Sequence, residues 1–225
     1  MTPQRSSPRA GGTRTVAAFD FDGTLSSRDN FVRYVKLVAG TGDTLKAAVA
    51  AAPELAASRK DKAQRDVAKA TVLRHTLRGR REDYLRDLGA RFARLVVERH
   101  LNPEVVARLD AHRAAGHELV IVSASLTLYL DPAAALLGIP TVLATEMEVG
   151  PDGRLTGEML GPNVRGPEKT HRLDAWLGTT PAVVFAYGDS HGDTELLARA
   201  DHPVLVDKQG RVPTTATPVP TPDPR

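Results

Sequence analysis

The stretch Thr15-Val16-Ala17-Ala18-Phe19-Asp20-Phe21-Asp22-Gly23-Thr24-Leu25 decides the fold. Thr15 to Phe19 form an apolar run of strand length, and Asp20 to Thr24 carry the turn chemistry that ends it. A strand with so little polar content on either face belongs inside a parallel sheet covered on both sides. Where that strand leaves the sheet, two carboxylates stand two positions apart, and Gly23 permits the close turn that lets both converge on one point.

Downstream, strands and helices alternate. Pro103 can open a helix carrying Val105, Val106 and Leu109, which Gly116 ends before a buried strand over Glu118 to Val122. A helix near Pro132 to Leu137, a strand at Thr141 to Leu143 and a turn at Gly150 to Gly153 between two small strands come next. Then follow a helix from Pro167 to Leu177, a strand from Val183 to Tyr187, a helix from Asp193 to Ala200 and a strand at Val204 to Val206. This pattern reads as α/β, a Rossmann-like parallel sheet core with an inserted helical cap. The core is expected over 15–25 and 101–207 and the cap over 26–100, where apolar residues such as Phe31, Tyr34, Val35 and Val38 recur at helical spacing. Residues 1–14 read as a flexible segment. Residues 208–225, rich in proline and threonine, read as a disordered tail.

With 225 residues, the chain is long enough to bury a core without staples. It has no cysteine, which excludes disulfides, thiolate zinc sites and a cysteine nucleophile. No apolar run is long enough to span a bilayer, and no signal-peptide core precedes Asp20, so a cytoplasmic monomer or small homo-oligomer without membrane insertion is expected. The net charge is +3, with the excess between Arg59 and Arg99, where 13 Lys/Arg face six Asp/Glu. Such a segment can steer an anion. It lacks the interleaved aromatics of a nucleic-acid platform, and no nucleic-acid partner is expected.

The remaining acids gather at strand ends. Val183 to Tyr187 runs into Gly188-Asp189-Ser190-His191-Gly192-Asp193, and a parallel sheet brings these carboxylates toward Asp20 and Asp22. Oxygen donors of this kind favour a hard divalent ion such as Mg2+. Ser123, directly after the strand ending at Val122, offers a hydroxyl beside backbone amides for phosphoryl oxygens. Lys169, near a helix start, offers positive charge between an attacking carboxylate and a phosphate. Asp20 can attack phosphorus, while Asp22 protonates the leaving oxygen and later activates water.

These ordered motifs resemble the haloacid dehalogenase-like superfamily, on the branch of phosphoserine phosphatases and related bacterial helical-cap hydrolases. Phe19 to Leu25 match the first signature, Ser123 the second, Lys169 the third and Gly188 to Asp193 the fourth. The resemblance implies magnesium-dependent hydrolysis of a small phosphate monoester through an aspartyl-phosphate on Asp20, with Asp22 as general acid and base. It implies Asp20, the main-chain carbonyl of Asp22 and Asp189 as the metal set, with Asp193 orienting the metal shell or ligating more directly. It also implies that Ser123, Ala124 and Lys169 grip the phosphoryl group and that Asp29, at the cap entrance, contacts substrate. Two departures weaken phosphoserine as the substrate: Ser123-Ala124-Ser125 replaces a serine with paired glycines, and Ser190 to Asp193 lacks the usual asparagine. A nonhydrolytic protein that binds a small phosphate ligand is the reading from another class, ahead of a nucleic-acid module.

Overall fold

The structure, a computed structural model, describes residues 14–59, 61 and 63–220. In chain order the elements are β1 (Arg14–Phe19), α1 (Asn30–Ala50), α2 (Ala52–Ala57), α3 (Gln64–Leu77), α4 (Glu82–Arg99) and α5 (Pro103–Ala114). Then come β2 (Glu118–Leu126), α6 (Thr127–Leu136), β3 (Thr141–Thr145), β4 (Met147–Val149), β5 (Leu155–Met159), α7 (Pro167–Leu177), β6 (Ala182–Gly188), α8 (Thr194–Arg199) and β7 (His202–Leu205). Five strands form a parallel sheet in the order β3-β2-β1-β6-β7, and β4 and β5 form a separate antiparallel hairpin.

Period-two alternation gives the sheet two cores. Ala17, Phe19, Leu119, Ile121, Phe185 and Tyr187 point to one face, where α5 and α6 supply Val105, Leu109 and Leu130. Val16, Ala18, Val120, Val122, Val184 and Ala186 point to the other, covered by Leu173 and Leu177 of α7 and Leu196 of α8. Strand β1 pairs on both sides, so its turn opens at the middle of the sheet's carboxyl edge.

The chain leaves the sheet at Leu25 and returns at Leu101 through adjacent points. Ser26 and Leu101 form an antiparallel bridge, and Ser27 N donates to His100 O at 2.8 Å. Between them, α1 to α4 pack on one another and on α6, around Tyr34, Phe92 and Tyr129, whose rings lie 4.9–5.6 Å apart. Gly89 of α4 lies so close to α6 that a Cβ there would stand 2.0 Å from the Leu128 carbonyl oxygen. Helix α1 breaks at Gly40 (φ 77°), and beyond the break Asp43 accepts from Lys46 Nζ at 3.0 Å.

Three expectations change. Strand β2 runs to Leu126, with its register to β3 shifting between Ser123 and Leu126, so Ser123 sits within the strand beside an irregular Ala124-Ser125 step. Helix α6 begins at Thr127, so Pro132 lies inside it. Residues 208–220 hold no helix or strand, yet they lie against α5 rather than forming a free tail. Val212 N donates to Glu104 Oε2 at 2.8 Å, Arg108 Nη1 donates to Thr217 O at 3.0 Å, and Val212 and Ala216 pack on the core. Of the expected N-terminal segment only Arg14 is described, as the first residue of β1; 1–13 and 221–225 lie outside the described residues.

Candidate active site

Because β1, β2 and β6 are parallel neighbours, their carboxyl ends deliver Asp20, Ser123 and Asp189 to one edge of the sheet. Asp20 N donates to Tyr187 O at 2.9 Å, which continues the β1–β6 ladder into the turn. Gly23 follows in the left-handed region (φ 84°), where a Cβ would lie 2.4 Å from Asp189 Oδ2, so only glycine lets the two loops approach this closely. Thr24 Oγ1 donates to Asp189 Oδ1 at 3.2 Å.

Lys169 rises from the first turn of α7 and places Nζ 2.5 Å from both Asp20 Oδ1 and Asp193 Oδ1. All three side chains are buried. Burial pushes the Asp20 carboxyl well above the usual range, with Lys169 pulling the other way and Asp193 adding to the rise. Burial by itself would lower Lys169, but the two carboxylates outweigh it and keep the ammonium charged. Asp193 is also fixed by Ser190, whose N and Oγ donate to Oδ2 at 3.1 and 2.9 Å in a capping box.

Asp22 is held from two sides: Asn30 Nδ2 donates to Oδ1 at 2.7 Å and Ser125 Oγ donates to Oδ2 at 2.7 Å. Burial raises its carboxyl to about 6 against the pull of those two bonds. Asp189 is also raised, by burial first and by Asp193 second. Single oxygens of Asp20, Asp189 and Asp193 lie within 4.8 Å of one another, an all-oxygen donor set that suits a hard divalent cation. The Asp22 side chain stands outside this group, bonded to Asn30 and Ser125 instead.

Asp20, Asp22, Asp29, Ser123, Ala124, Lys169, Asp189 and Asp193 all line one cavity of about 820 Å³. Ser123 is buried, and its Oγ accepts from Ser125 N at 3.2 Å. Asp29 caps α1, accepting from Phe31 N at 3.0 Å and Val32 N at 3.4 Å, so its carboxylate is engaged while bordering the cavity.

Sequence reasoning missed Lys69, Asn163, Asn30 and Ser125. Lys69 of α3 donates to Ala124 O and, at 2.6 Å, to Asn163 Oδ1. Asn163 Nδ2 donates to Asp66 Oδ1 at 2.7 Å, and Thr145 Oγ1 donates to Asn163 Oδ1 at 2.9 Å. Burial drops Lys69 to about 7 against the pull of Asp66, Asp22 and Asp29. The loop signal around Asn163, Gly161-Pro162-Asn163 ahead of Gly166-Pro167, was available as a loop entering the Lys169 helix. Nothing local linked it to Lys69.

The sequence profile of the haloacid dehalogenase-like hydrolases matches residues 17–198. Protein CicA of Caulobacter vibrioides is 36% identical over 186 residues, covering 83% of each chain. A phosphoserine phosphatase of Halobacterium salinarum is 31% identical over 208 residues, 86% of each chain. The crystal structure of a protein of unknown function from Bordetella pertussis Tohama I superposes with a TM-score of 0.73 at 26% identity, over 86% of this chain and 90% of that one.

Proposed function

We propose, for a chain that belongs to the haloacid dehalogenase-like hydrolase family and is a phosphatase, that Asp20 attacks a small phosphate monoester and that α1 to α4 cap the reaction. The observation carrying this reading is the buried Asp20–Lys169–Asp193 row beside the separately held Asp22. Burial raises both carboxyls, and their partners divide the roles: the Lys169 ammonium beside Asp20 favours the ionised nucleophile, whereas Asp22, raised to about 6 between the neutral donors Asn30 and Ser125, is set to give and take a proton.

An Asp20 oxygen forms the bond to phosphorus as the ester oxygen departs, and the Asp22 proton passes to that oxygen. Water then attacks the aspartyl-phosphate, Asp22 takes its proton, and Asp20 leaves as a free carboxylate with inorganic phosphate released. Lys169 holds positive charge beside Asp20, where the phosphoryl oxygens gather negative charge. Ser123 and the Ala124 backbone grip those oxygens, and Asp29 borders the leaving group. The carboxylates of Asp20, Asp189 and Asp193, with the Asp22 main-chain carbonyl, would hold Mg2+. When bound, the ion supplies charge neutralisation and orientation for the phosphoryl oxygens. A cytoplasmic location fits a chain without cysteine in which, among the described residues, no helix is long and apolar enough to cross a membrane.

The test is release of phosphate by purified protein treated with EDTA and then given Mg2+, with rapid-quench trapping of a phosphoenzyme. Activity is expected only with the ion, and Asp20→Asn is expected to lose both turnover and the covalent adduct. Tight ligand binding without turnover of any monoester would favour a nonhydrolytic phosphate-binding protein instead.

A further inference from the structure

We infer that the alcohol released by this enzyme is apolar and larger than a serine side chain, so that the substrate is an amphipathic phosphate monoester. The inference rests on the phosphatase reading and deepens it by naming the substrate class.

The cavity is chemically divided. Its phosphate end is built from carboxylates, Lys169 and Ser123, whereas Phe31, Val32 and Val35 of α1, Ala48 beyond the Gly40 break, Leu55 of α2 and Val72 of α3 build an apolar wall. At about 820 Å³ the space falls within the range of sites that enclose ligands of drug size, far beyond what a phosphate with two or three carbons fills. Val32 and Leu55 are 53% and 50% exposed, so apolar surface waits at the cavity rather than being spent on packing between helices. Covering such surface with hydrocarbon is favourable in proportion to its area.

The polar groups on the helical side point the same way because they are already engaged. Lys69 donates to Ala124 O and Asn163 Oδ1, Asp66 accepts from Asn163, and Asp29 caps α1. A zwitterionic leaving group would need a free cation for its carboxylate and a free acid for its ammonium close to the phosphate. Neither Lys69 nor Asp29 is free without breaking a bond that orders the site. Four cations of this lining have no hydrogen-bonded or ion-paired side-chain partner among the described residues: Arg28, Arg59 and Arg65 are exposed and suit attraction of the dianionic head group, and Arg165, half-buried beside Gly192 at the phosphate end, suits the same head group.

The experiment measures kcat/KM with Mg2+ for n-alkyl phosphates from ethyl to octyl, with phosphoserine and acetyl phosphate in the same series. The expected result is a rise with chain length, up to about fourfold per methylene while the chain stays within the cavity. Phosphoserine should fall below butyl phosphate. In Val32→Asn and Leu55→Asn the octyl-to-ethyl ratio should shrink several-fold, and both positions are exposed enough for the substitutions to spare folding. A flat series, a preference for phosphoserine over every alkyl ester, or an unchanged octyl-to-ethyl ratio in both variants overturns the inference while leaving the phosphatase reading intact. Failure to hydrolyse any member, acetyl phosphate included, overturns the phosphatase reading and the inference with it.

Discussion

Lys69 Nζ lies 2.6 Å from Asn163 Oδ1, across 94 positions of sequence, and the same ammonium donates to the carbonyl oxygen of Ala124. One side chain of α3 thus ties a helix of the insertion to the irregular step of β2 and to the loop that leads into α7. Lys69→Met removes that tie and leaves the Ala124 carbonyl without its buried donor, a loss worth about 1–3 kcal/mol. Expected is a fall of about tenfold or more in kcat/KM that is similar for every phosphate ester, because the step being misplaced grips the phosphoryl group and not the alcohol. Wild type should also lose activity as pH rises through about 7, where the buried ammonium gives up its proton, and Lys69→Met should keep only the fall that deprotonation of Asp22 brings near 6. Identical pH–rate profiles for the two proteins would show that the lysine charge does not order the site.

Asp22 is positioned by Asn30 and Ser125, each at 2.7 Å. Asp22→Asn keeps the shape but carries no transferable proton, so a loss of about 10²–10⁴ in turnover is expected. In rapid quench the slowing of phosphoenzyme formation should be largest for alkyl phosphates, whose leaving oxygens need the proton, and small for 4-nitrophenyl phosphate, whereas hydrolysis of the phosphoenzyme should slow alike for every substrate. Asn30→Ala should show the same leaving-group dependence at lower amplitude. Equal slowing of phosphoenzyme formation for good and poor leaving groups would exclude Asp22 as the acid.

Gly89 of α4 offers a stability test in which two effects oppose. Alanine is the better helix former by about 1 kcal/mol, which alone would make Gly89→Ala stabilising. The new Cβ, however, would meet the Leu128 carbonyl oxygen at 2.0 Å and its carbon at 2.8 Å, both backbone atoms that cannot turn aside. Overpacking of this kind costs about 1–3 kcal/mol or more, so a lower urea midpoint is expected. A higher midpoint would mean that α4 and α6 do not approach this closely.

The parts legible in the sequence are those where chemistry follows directly on an apolar run. Asp20 after Phe19 and Asp189 after Gly188 announce strand exits, and parallel order then brings them together without knowledge of any contact. The end of β2 was misread because Ser123-Ala124-Ser125 carries no apolar alternation, whereas the strand passes through a register shift there and resumes at Leu126. The Pro-rich stretch after Lys208 signals that its described residues, 208–220, hold no helix or strand, but proline content says nothing about Val212 and Ala216 finding the core. The Lys69–Asn163–Asp66 network was invisible for a simpler reason: its members look like surface residues of separate segments, and only the tertiary fold buries them together.

His112 makes its own contribution to the pH dependence of folding. It is fully buried on α5, with Nε2 2.9 Å from Tyr187 Oη and Nδ1 2.7 Å from His117 Nδ1, while the Phe185 ring packs on it edge to face at 4.8 Å. Burial pushes it down to about 3, and the neighbouring His117 and Arg108 add to the depression. The unfolded chain takes up this proton near pH 6.5. Between about 6.5 and 3 the unfolded state therefore binds a proton that the folded state refuses, so the stability His112 contributes is complete above about 6.5 and is lost as pH falls toward 3. From pH 7.5 to 5.0 the His112 contribution should fall by on the order of 1–2 kcal/mol, read as a change in the urea-midpoint difference between wild type and His112→Gln, because the buried carboxyls of Asp20 and Asp22 shift stability the other way in both proteins. His112→Gln keeps an amide that can bond to Tyr187 but cannot titrate, so its midpoint should be lower than that of wild type at pH 7.5 and the gap should narrow at pH 5.0. An unchanged gap would place the proton uptake on another group, and His117, held down by burial in the same cluster, would be the next to replace.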